Sequence, residues 1–474
     1  MNTYQIYLSG KWVSSQKKIE VRNPYNANII AETYLANKEH LEEAIQVASE
    51  IEGDCAEIPS SLRYDSLMFI AHEISNNADF LAKIVSNESA KPFKYAYAEV
   101  KRAAFTFLIA AEECKRLPKE YLSLDWQLGL ENKEALVKYF PVGLVSGITP
   151  FNFPINLLAH KIAPAIATAC PIILKPDIRT PLSALELAKI ISKTNLPKAM
   201  LSVLPLAHNI AAPLINDDRI KLLSFTGSPK VGWEMKANAG KKKVVLELGG
   251  NAGVIVTPTS NLEAAVSKCV IGAFAYSGQV CIHTQRIYVH QDLFEKFTEA
   301  FISKIKNLKI GNPEEADTDF SCMIDEANAI RVEDWINEAV AQGAKLLCGG
   351  KRCENFVEPT VLTNTNAEMK VNCNEVFGPV VIVEKYAVFD NAIAEINNTT
   401  FGLQAGVFTD SQTEIDKAFN KLKVGGVIIN DVPTFRADQM PYGGVKESGF
   451  GREGVKYAML DMLEPKVLVK TIEK

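Results

Sequence analysis

The sequence lacks several things, and each absence removes a class of protein. No two cysteines stand as Cys-x-x-Cys. The nine cysteines (Cys55, Cys114, Cys170, Cys269, Cys281, Cys322, Cys348, Cys353 and Cys373) are odd in number and irregular in spacing. A reduced chain explains this better than a disulfide framework, and Cys348 and Cys353 stand too far from histidine to suggest zinc, so no metal is expected. There is no excess of one charge: 51 Lys and Arg face 56 Asp and Glu, a formal net charge of -5, and the two signs are interspersed. A phosphate-binding footprint needs clustered Lys and Arg, so nucleic acid is not expected as a partner. Repeats, low-complexity tracts and Pro/Ser-rich linkers are missing too. The start, Met1-Asn2-Thr3-Tyr4-Gln5, does not show the basic-then-apolar pattern of a secretory leader. Sequons at Asn87, Asn397 and Asn398 carry no weight without secretion. One charge-free run, Tyr139 to His160, has the length of a membrane span, but Pro141, Pro150, Asn152 and Pro154 interrupt it. A buried strand, loop and helix is expected there. A cytoplasmic chain with no membrane partner follows.

What is present is a globular composition, with 47% hydrophobic and 23% charged residues in 474. That length accommodates two or three domains and a large core. Extended segments at Gln5 to Leu8 and Lys11 to Val13 lead into a long helical region, Lys38 to Lys115. The stretch Glu112 to Leu136 is more polar and breaks the pattern. From Ala135 short apolar runs alternate with helical segments: Leu144 to Ile148, a helix from Ile155, Ile172 to Leu174, a helix from Pro181, Leu201 to Leu204, another helix, then Leu222 to Phe225. Such alternation predicts a parallel, doubly wound sheet. A second alternating series runs from Val254 to Ile429. The last segment, Lys466-Val-Leu-Val-Lys470, has a strand pattern. It could pair with a neighbouring subunit or close its own sheet.

Two segments carry most of the chemistry. Cys281, in Tyr276-Ser-Gly-Gln-Val-Cys281-Ile-His283, is flanked by small and polar residues, as an accessible nucleophile would be. Glu247 interrupts the apolar run Val244, Val245, Leu246 and Leu248. Burial raises a carboxyl pKa, and a raised pKa suits a general base near neutrality. Thiol attack followed by base-activated hydrolysis is the chemistry these two allow. In Thr149-Pro-Phe-Asn152-Phe-Pro154 two prolines fix the backbone around one amide, which can serve either a turn or a developing oxyanion. Thr226-Gly227-Ser228-Pro229 ends an apolar strand and opens a helix toward Gly232, an ordinary turn or a pyrophosphate site. Lys175 ends a strand, where a lysine is either solvated or beside a ligand. Gly449-Phe-Gly451-Arg-Glu-Gly454 matches a dinucleotide fingerprint literally, but neither a leading strand nor a following βαβ unit accompanies it, so a glycine-rich loop is expected.

Together these segments resemble the aldehyde dehydrogenase superfamily over nearly the whole chain. The matching segments are Ile148-Thr-Pro-Phe-Asn-Phe-Pro154, Leu174-Lys-Pro176, Phe225-Thr-Gly-Ser228, Leu246-Glu-Leu-Gly-Gly250, Gly278-Gln-Val-Cys281, Glu375-Val-Phe-Gly-Pro379, Phe401-Gly-Leu403 and Pro441-Tyr-Gly-Gly444, with Lys446 and Ser448-Gly449. The tail from Met440 to Ala458 is most similar to members acting on lactaldehyde, glyceraldehyde and phosphonoacetaldehyde. The resemblance implies an α/β fold with a Rossmann-like cofactor domain (1–122 and 142–248), an α/β catalytic domain (249–440) and a small β oligomerisation element (123–141 and 455–474). It implies Cys281 as nucleophile, Asn152 with the Cys281 backbone N–H as oxyanion site, and Glu247 as the base that hydrolyses a thioester. Cofactor contacts are implied for Ile148, Thr149, Pro150, Phe151, Lys175, Ile178, Thr226, Gly227, Ser228, Gly232, Leu248, Glu375 and Phe377. Ile178 stands where NAD-preferring members usually carry a Glu. It leaves room for a 2′-phosphate, Arg179 is at hand to bind one, and Asp177 could restore NAD preference, so NAD or NADP is expected.

The implied reaction is oxidation of a short polar or anionic aldehyde to its acid. A CoA-acylating semialdehyde dehydrogenase is the nearest alternative, which the carboxylate at Glu247 counts against. A thiol esterase or hydrolase would leave the cofactor motifs unexplained. Arg436, His283 and Arg102 are the candidate anchors for an anionic substrate. Each has a bland reading: Arg436 paired with Asp438, Arg102 with Glu99 at helical spacing, and His283 simply hydrogen-bonded. A homodimer or homotetramer is expected.

Overall fold

The computed structural model describes residues 2–472. The alternation of short apolar runs with helices builds two large sheets. The first has eight strands in the spatial order Gly449–Phe450, Lys243–Glu247, Ile220–Thr226, Leu144–Ile148, Ile172–Lys175, Leu201–Val203, Ile6–Leu8 and Lys11–Val13. The five from Lys243–Glu247 to Leu201–Val203 run parallel, and the flanking strands are antiparallel. Leu144–Ile148 and Ile172–Lys175 are buried throughout, as parallel strands covered by helices on both faces must be. Register sets Ile148 beside Lys175 and Phe225, and Thr226 beside Glu247. Four motifs read separately from the sequence thus finish at one edge, the carboxyl ends of adjacent strands, where open α/β sheets bind ligands.

The second sheet has seven strands, in the order Lys345–Cys348, Thr360–Thr363, Val380–Tyr386, Arg286–His290, Gly253–Val256, Gln404–Phe408 and Gly426–Ile429. Only the edge strand Lys345–Cys348 is antiparallel. The chain passes from the first sheet to the second between Glu247 and Gly253.

Several expectations change in detail. The helical region from Lys38 to Lys115 is five helices: Lys38–Glu50, Glu52–Ala56, Ser60–Asn76, Ala78–Ser89 and Phe93–Cys114. Pro59 and Pro92 stand immediately before two of them, and Ala90, at φ +54°, ends a third in the left-handed region, so the breaks have local causes. The polar stretch from Glu112 begins as helix, then forms the strands Lys119–Ser123 and Lys133–Pro141. The last strand, Leu463–Thr471, pairs antiparallel with the whole of Lys133–Pro141. Of the two readings left open, it closes a three-stranded sheet within its own chain. The charge-free run becomes strand, loop and the helix Asn156–Ala167, and among the described residues no helix is long and apolar enough to cross a membrane. The literal GxGxxG opens on the strand Gly449–Phe450, antiparallel to Leu246 and Glu247. It forms no βαβ unit.

Candidate active site

One cavity of ≈ 1280 Å³ gathers Cys281, Glu247 and Asn152 with most of the expected cofactor residues. Cys281 follows a sharp turn in which Tyr276, Ser277 and Gly278 all have positive φ, at +50°, +53° and +68°. Two non-glycine residues held there store strain that the surrounding packing must over-determine. Tyr276 is anchored by its hydroxyl, which donates to Ser89 O at 3.0 Å. Cys281 is partly exposed. Burial of the thiol pushes its pKa up to about 11, and a contact with the Tyr442 hydroxyl, 3.1 Å from Sγ, opposes that rise.

Asn152 is 4% exposed and donates one amide hydrogen to Gln279 O at 2.9 Å. An amide carries two hydrogens, so one stays free to face an oxyanion. Glu247 is 3% exposed, and neither of its carboxylate oxygens has a hydrogen-bond partner. Burial first, and the Glu453 carboxylate second, raise it well above the ordinary value; Arg436 and Lys161 oppose them. An unpartnered buried carboxylate is expensive. This one shares its cavity with the Cys281 thiol.

Beneath Glu247 runs a buried chain of charges that the sequence did not disclose. Lys161 Nζ donates to Ser224 Oγ and Thr226 Oγ1, both at 2.9 Å, and meets Glu453 Oε1 at 3.3 Å. Arg436 Nη2 donates to Glu453 Oε2 at 3.0 Å. His160 Nε2 lies 2.8 Å from Asp438 Oδ1. Lys161 and Arg436 outweigh burial and keep the Glu453 carboxyl low. The same two cations act on Glu247, but there they do not outweigh burial. Glu453 sits inside the glycine-rich segment set aside as a loop, and Lys161 is the first charge after the long uncharged run; those positions were the available signals.

The remaining cavity fits a dinucleotide. Ser228 occupies the N-cap position of the helix Pro229–Asn238 without a side-chain capping bond, the first helical position is proline, and Thr226, Gly227 and Ser228 line the cavity there. Ile148, Thr149, Pro150, Phe151, Lys175, Leu248, Glu375 and Phe377 line it as well. The Thr149 hydroxyl is buried without a partner. Glu375 Oε1 accepts from Gly250 N–H at 3.0 Å, and a Cβ on Gly249 would run into that carboxylate. Phe377, itself at φ +44°, packs edge-on against Phe151, and the Arg179 guanidinium lies 4.4 Å from the Phe151 ring centroid. Two expected cofactor residues are placed differently. Gly232 does not line the cavity; a Cβ there would collide with Leu248, so it acts in helix-to-strand packing. Ile178 does not line it either, whereas its neighbours Asp177 and Arg179 do.

Comparison with known proteins agrees with this geometry. A profile of the Aldehyde dehydrogenase family matches residues 12–468. The chain belongs to the aldehyde dehydrogenase family. It is 41% identical over 467 residues, 98% of each chain, to the 3-sulfolactaldehyde dehydrogenase of Priestia aryabhattai. It superposes with a TM-score of 0.98, at 45% identity and covering 99% and 98% of the two chains, on aldehyde dehydrogenase 21 of Physcomitrella patens, solved with the reaction product succinate. A glyceraldehyde-3-phosphate dehydrogenase of Methanocaldococcus jannaschii, solved with NADP, matches at 38% identity and a TM-score of 0.92, over 96% of this chain and all of that one. The protein is an NAD(P)-dependent aldehyde dehydrogenase.

In this aldehyde dehydrogenase the three candidate substrate anchors part company. Arg102 and Arg436 both line the cavity, and His283 does not. His283 is 1% exposed, its Nε2 lies 2.8 Å from Ala273 O, and burial pushes its pKa down to about 4. A neutral, enclosed imidazole cannot anchor an anion. Arg102 does not pair with Glu99. It grips Asp438 through Nε and Nη2, at 3.2 and 2.6 Å, because Glu99 is taken by Lys91. Arg436 pairs chiefly with Glu453, its Nε standing 3.9 Å from Asp438 Oδ1.

Proposed function

We propose that this enzyme oxidises a short aldehyde whose far end carries an anionic group, such as a carboxylate, sulfonate or phosphate, and releases the free acid. The observation that carries this reading is the pair Arg102 and Arg436 on the cavity that holds Cys281. Arg436 Nε is buried without a hydrogen-bond partner, and the Arg102 side chain is 32% exposed. Desolvated guanidinium contacts to an anion are strong and directional. The three relatives named above share an anionic group on the aldehyde or the product that they are named or solved with. Neutral, lactaldehyde-like substrates are the alternative.

Cys281 would attack the aldehyde carbon, with the oxyanion held by the free Asn152 N–H and the Cys281 backbone N–H. A bound nicotinamide supplies the hydride acceptor that turns the resulting thiohemiacetal into a thioester. Glu247 would then take a proton from water, whose hydroxide adds to the thioester carbonyl and expels the Cys281 thiolate. The unpartnered Glu247 carboxylate favours hydrolysis over transfer to CoA, and the dinucleotide cradle would be idle in a thiol esterase.

NADP should serve at least as well as NAD. Arg179 donates to both Asp177 oxygens, from Nε at 3.0 Å and Nη2 at 2.8 Å. Burial raises the Asp177 carboxyl, but these bonds outweigh it and hold it low. An acid so engaged is held away from ribose hydroxyls, and the same guanidinium also donates to Asp325 Oδ2 from Nη1 at 2.8 Å. Residues 1–122 and 142–248 would bind the cofactor, 249–440 would carry the catalytic part and 123–141 with 455–474 the oligomer contact, in a cytoplasmic homo-oligomer that keeps the nine cysteines free. The test is kcat/KM over charged and neutral aldehydes of equal length, with each cofactor, in the parent and in Arg436→Ala. Charged substrates should lead by about tenfold or more in the parent, and Arg436→Ala should erase that lead. If propanal wins in the parent, the anion reading is wrong. A hundredfold preference for NAD would end the NADP reading.

A further inference from the structure

Tyr442 has no part in the chemistry just described, yet it touches the reacting sulfur. It is 3% exposed, and its hydroxyl lies 3.1 Å from Cys281 Sγ. Its backbone is fixed by reciprocal hydrogen bonds with Glu453, at 2.9 and 2.6 Å. The Arg436 guanidinium sits over its ring, 3.8 Å from the centroid. We propose that Tyr442 is a catalytic residue whose phenolic O–H donates to the Cys281 sulfur and stabilises the thiolate in both halves of the reaction.

The surroundings of the sulfur support this role. The Glu375 and Glu247 carboxylates both work against a negative sulfur, and the Tyr442 hydroxyl bond and the Arg436 charge work for it. His283, two residues away, is neutral and committed to Ala273. Among the described residues the phenol is the hydrogen-bond partner of Sγ. A thiolate can only accept, so once the thiol ionises the phenol must be the donor. A bond from a neutral donor to an anion is about twice as strong as one between neutral groups. The cation over the ring face draws electron density from the phenol and strengthens its O–H as a donor. Glu453 holds that cation in place and pins the Tyr442 backbone as well, so ring, charge and hydroxyl are set by one residue.

The electron bookkeeping is simple. The thiol first gives up its proton to solvent water; on attack a lone pair of the thiolate forms the S–C bond, and the carbonyl π pair moves to oxygen, which Asn152 and the Cys281 N–H hold. The phenol keeps its proton throughout. When the thioester is hydrolysed, the C–S pair returns to sulfur and the phenol donates to it again. A group that lowers the thiol pKa also makes the sulfur a better leaving group, so one contact assists both steps.

This inference rests on Cys281 as the nucleophile, and the two can fail separately. If Cys281→Ser keeps turnover, the nucleophile assignment falls. Tyr442 itself is tested without substrate, by iodoacetamide alkylation of the intact enzyme across pH, read on the peptide that contains Cys281. Tyr442→Phe preserves the ring and its contact with Arg436. Its alkylation midpoint should move upward by about one unit, a tenfold slower reaction near neutrality. The two proteins should converge at high pH, where the thiol is ionised in both. Burst and steady-state rates should fall by similar factors for lactaldehyde and for propanal. An unchanged midpoint overturns the proposal. So does a difference that is constant at every pH, which reports altered access, and so does a loss confined to lactaldehyde, which makes Tyr442 a contact for the substrate hydroxyl.

Discussion

Glu247 shows what a single residue contributes when its surroundings are withheld. Its oxygens have no partner, and burial together with the Glu453 charge favours the protonated form. A base whose ionisation is displaced upward takes a proton from water only in its ionised form, so hydrolysis should accelerate as pH rises through the Glu247 ionisation. Glu247→Gln should keep the pre-steady-state burst of NAD(P)H, lose that rise, and slow the steady state by about 10²–10⁴-fold. Stopped-flow traces and steady-state rates on one preparation separate the two, and a variant that turns over like the parent refutes the assignment. That Glu247, Cys281 and Asn152 share a cavity was legible through local context, a carboxylate inside an apolar strand, a thiol among small and polar residues and an amide between prolines, joined by the resemblance. Their supporting charges were not. Lys161 with Glu453 and Arg102 with Asp438 join distant segments. The local guess of Arg102 with Glu99 failed because Lys91, on the turn before the helix, claims that carboxylate.

At the scale of elements, Glu99 ties two helices together. One oxygen is paired with Lys91, and the other accepts the backbone N–H groups of Ile155 and Asn156, at 3.0 and 3.2 Å. The carboxylate on the helix Phe93–Cys114 thereby caps the start of Asn156–Ala167, where negative charge is favoured. It also steadies the loop that carries Asn152. Lys91 and Glu99 side chains are wholly buried, and Lys91 Nζ lies 3.8 Å from the centroid of Phe153. Lys91→Met should therefore strand a buried charge and cost about 3–5 kcal/mol, read as a lower midpoint of urea denaturation. Adding Glu99→Gln should recover part of that loss. A single variant as stable as the parent would show that the pair contributes nothing. The alternation from Ala135 onward gave these elements readily, since an apolar run of strand length between helical segments has few other solutions. The breaks between Lys38 and Lys115 were harder, because the amphipathic pattern continues across Pro59 and Pro92 and only the backbone changes direction.

For the whole molecule the decisive surface is the three-stranded sheet of Lys119–Ser123, Lys133–Pro141 and Leu463–Thr471. Local pattern does not pair these strands, since the last returns to a segment more than 300 positions earlier; the resemblance alone grouped 123–141 with 455–474. The sheet is thin, and many of its apolar side chains are exposed. Tyr121 is 63% exposed, Val467, Leu468 and Val469 are 50–56% exposed, and Trp126 and Leu128 in the adjoining loop exceed 90%. An isolated sheet that shows such a surface to water is a site of association. The partner should be a second copy of this chain, as the resemblance of these segments to an oligomerisation element implies. Symmetric pairing would cover the same patch on both copies at once. Sedimentation velocity at micromolar concentration should show a dimer or tetramer, and Leu468→Asp with Trp126→Ser should shift it to monomer. The active-site cavity contains no residue of this sheet, so a folded monomer should keep its cofactor affinity. A parent enzyme that sediments as a monomer would leave the patch without its proposed occupant and would end the homo-oligomer reading.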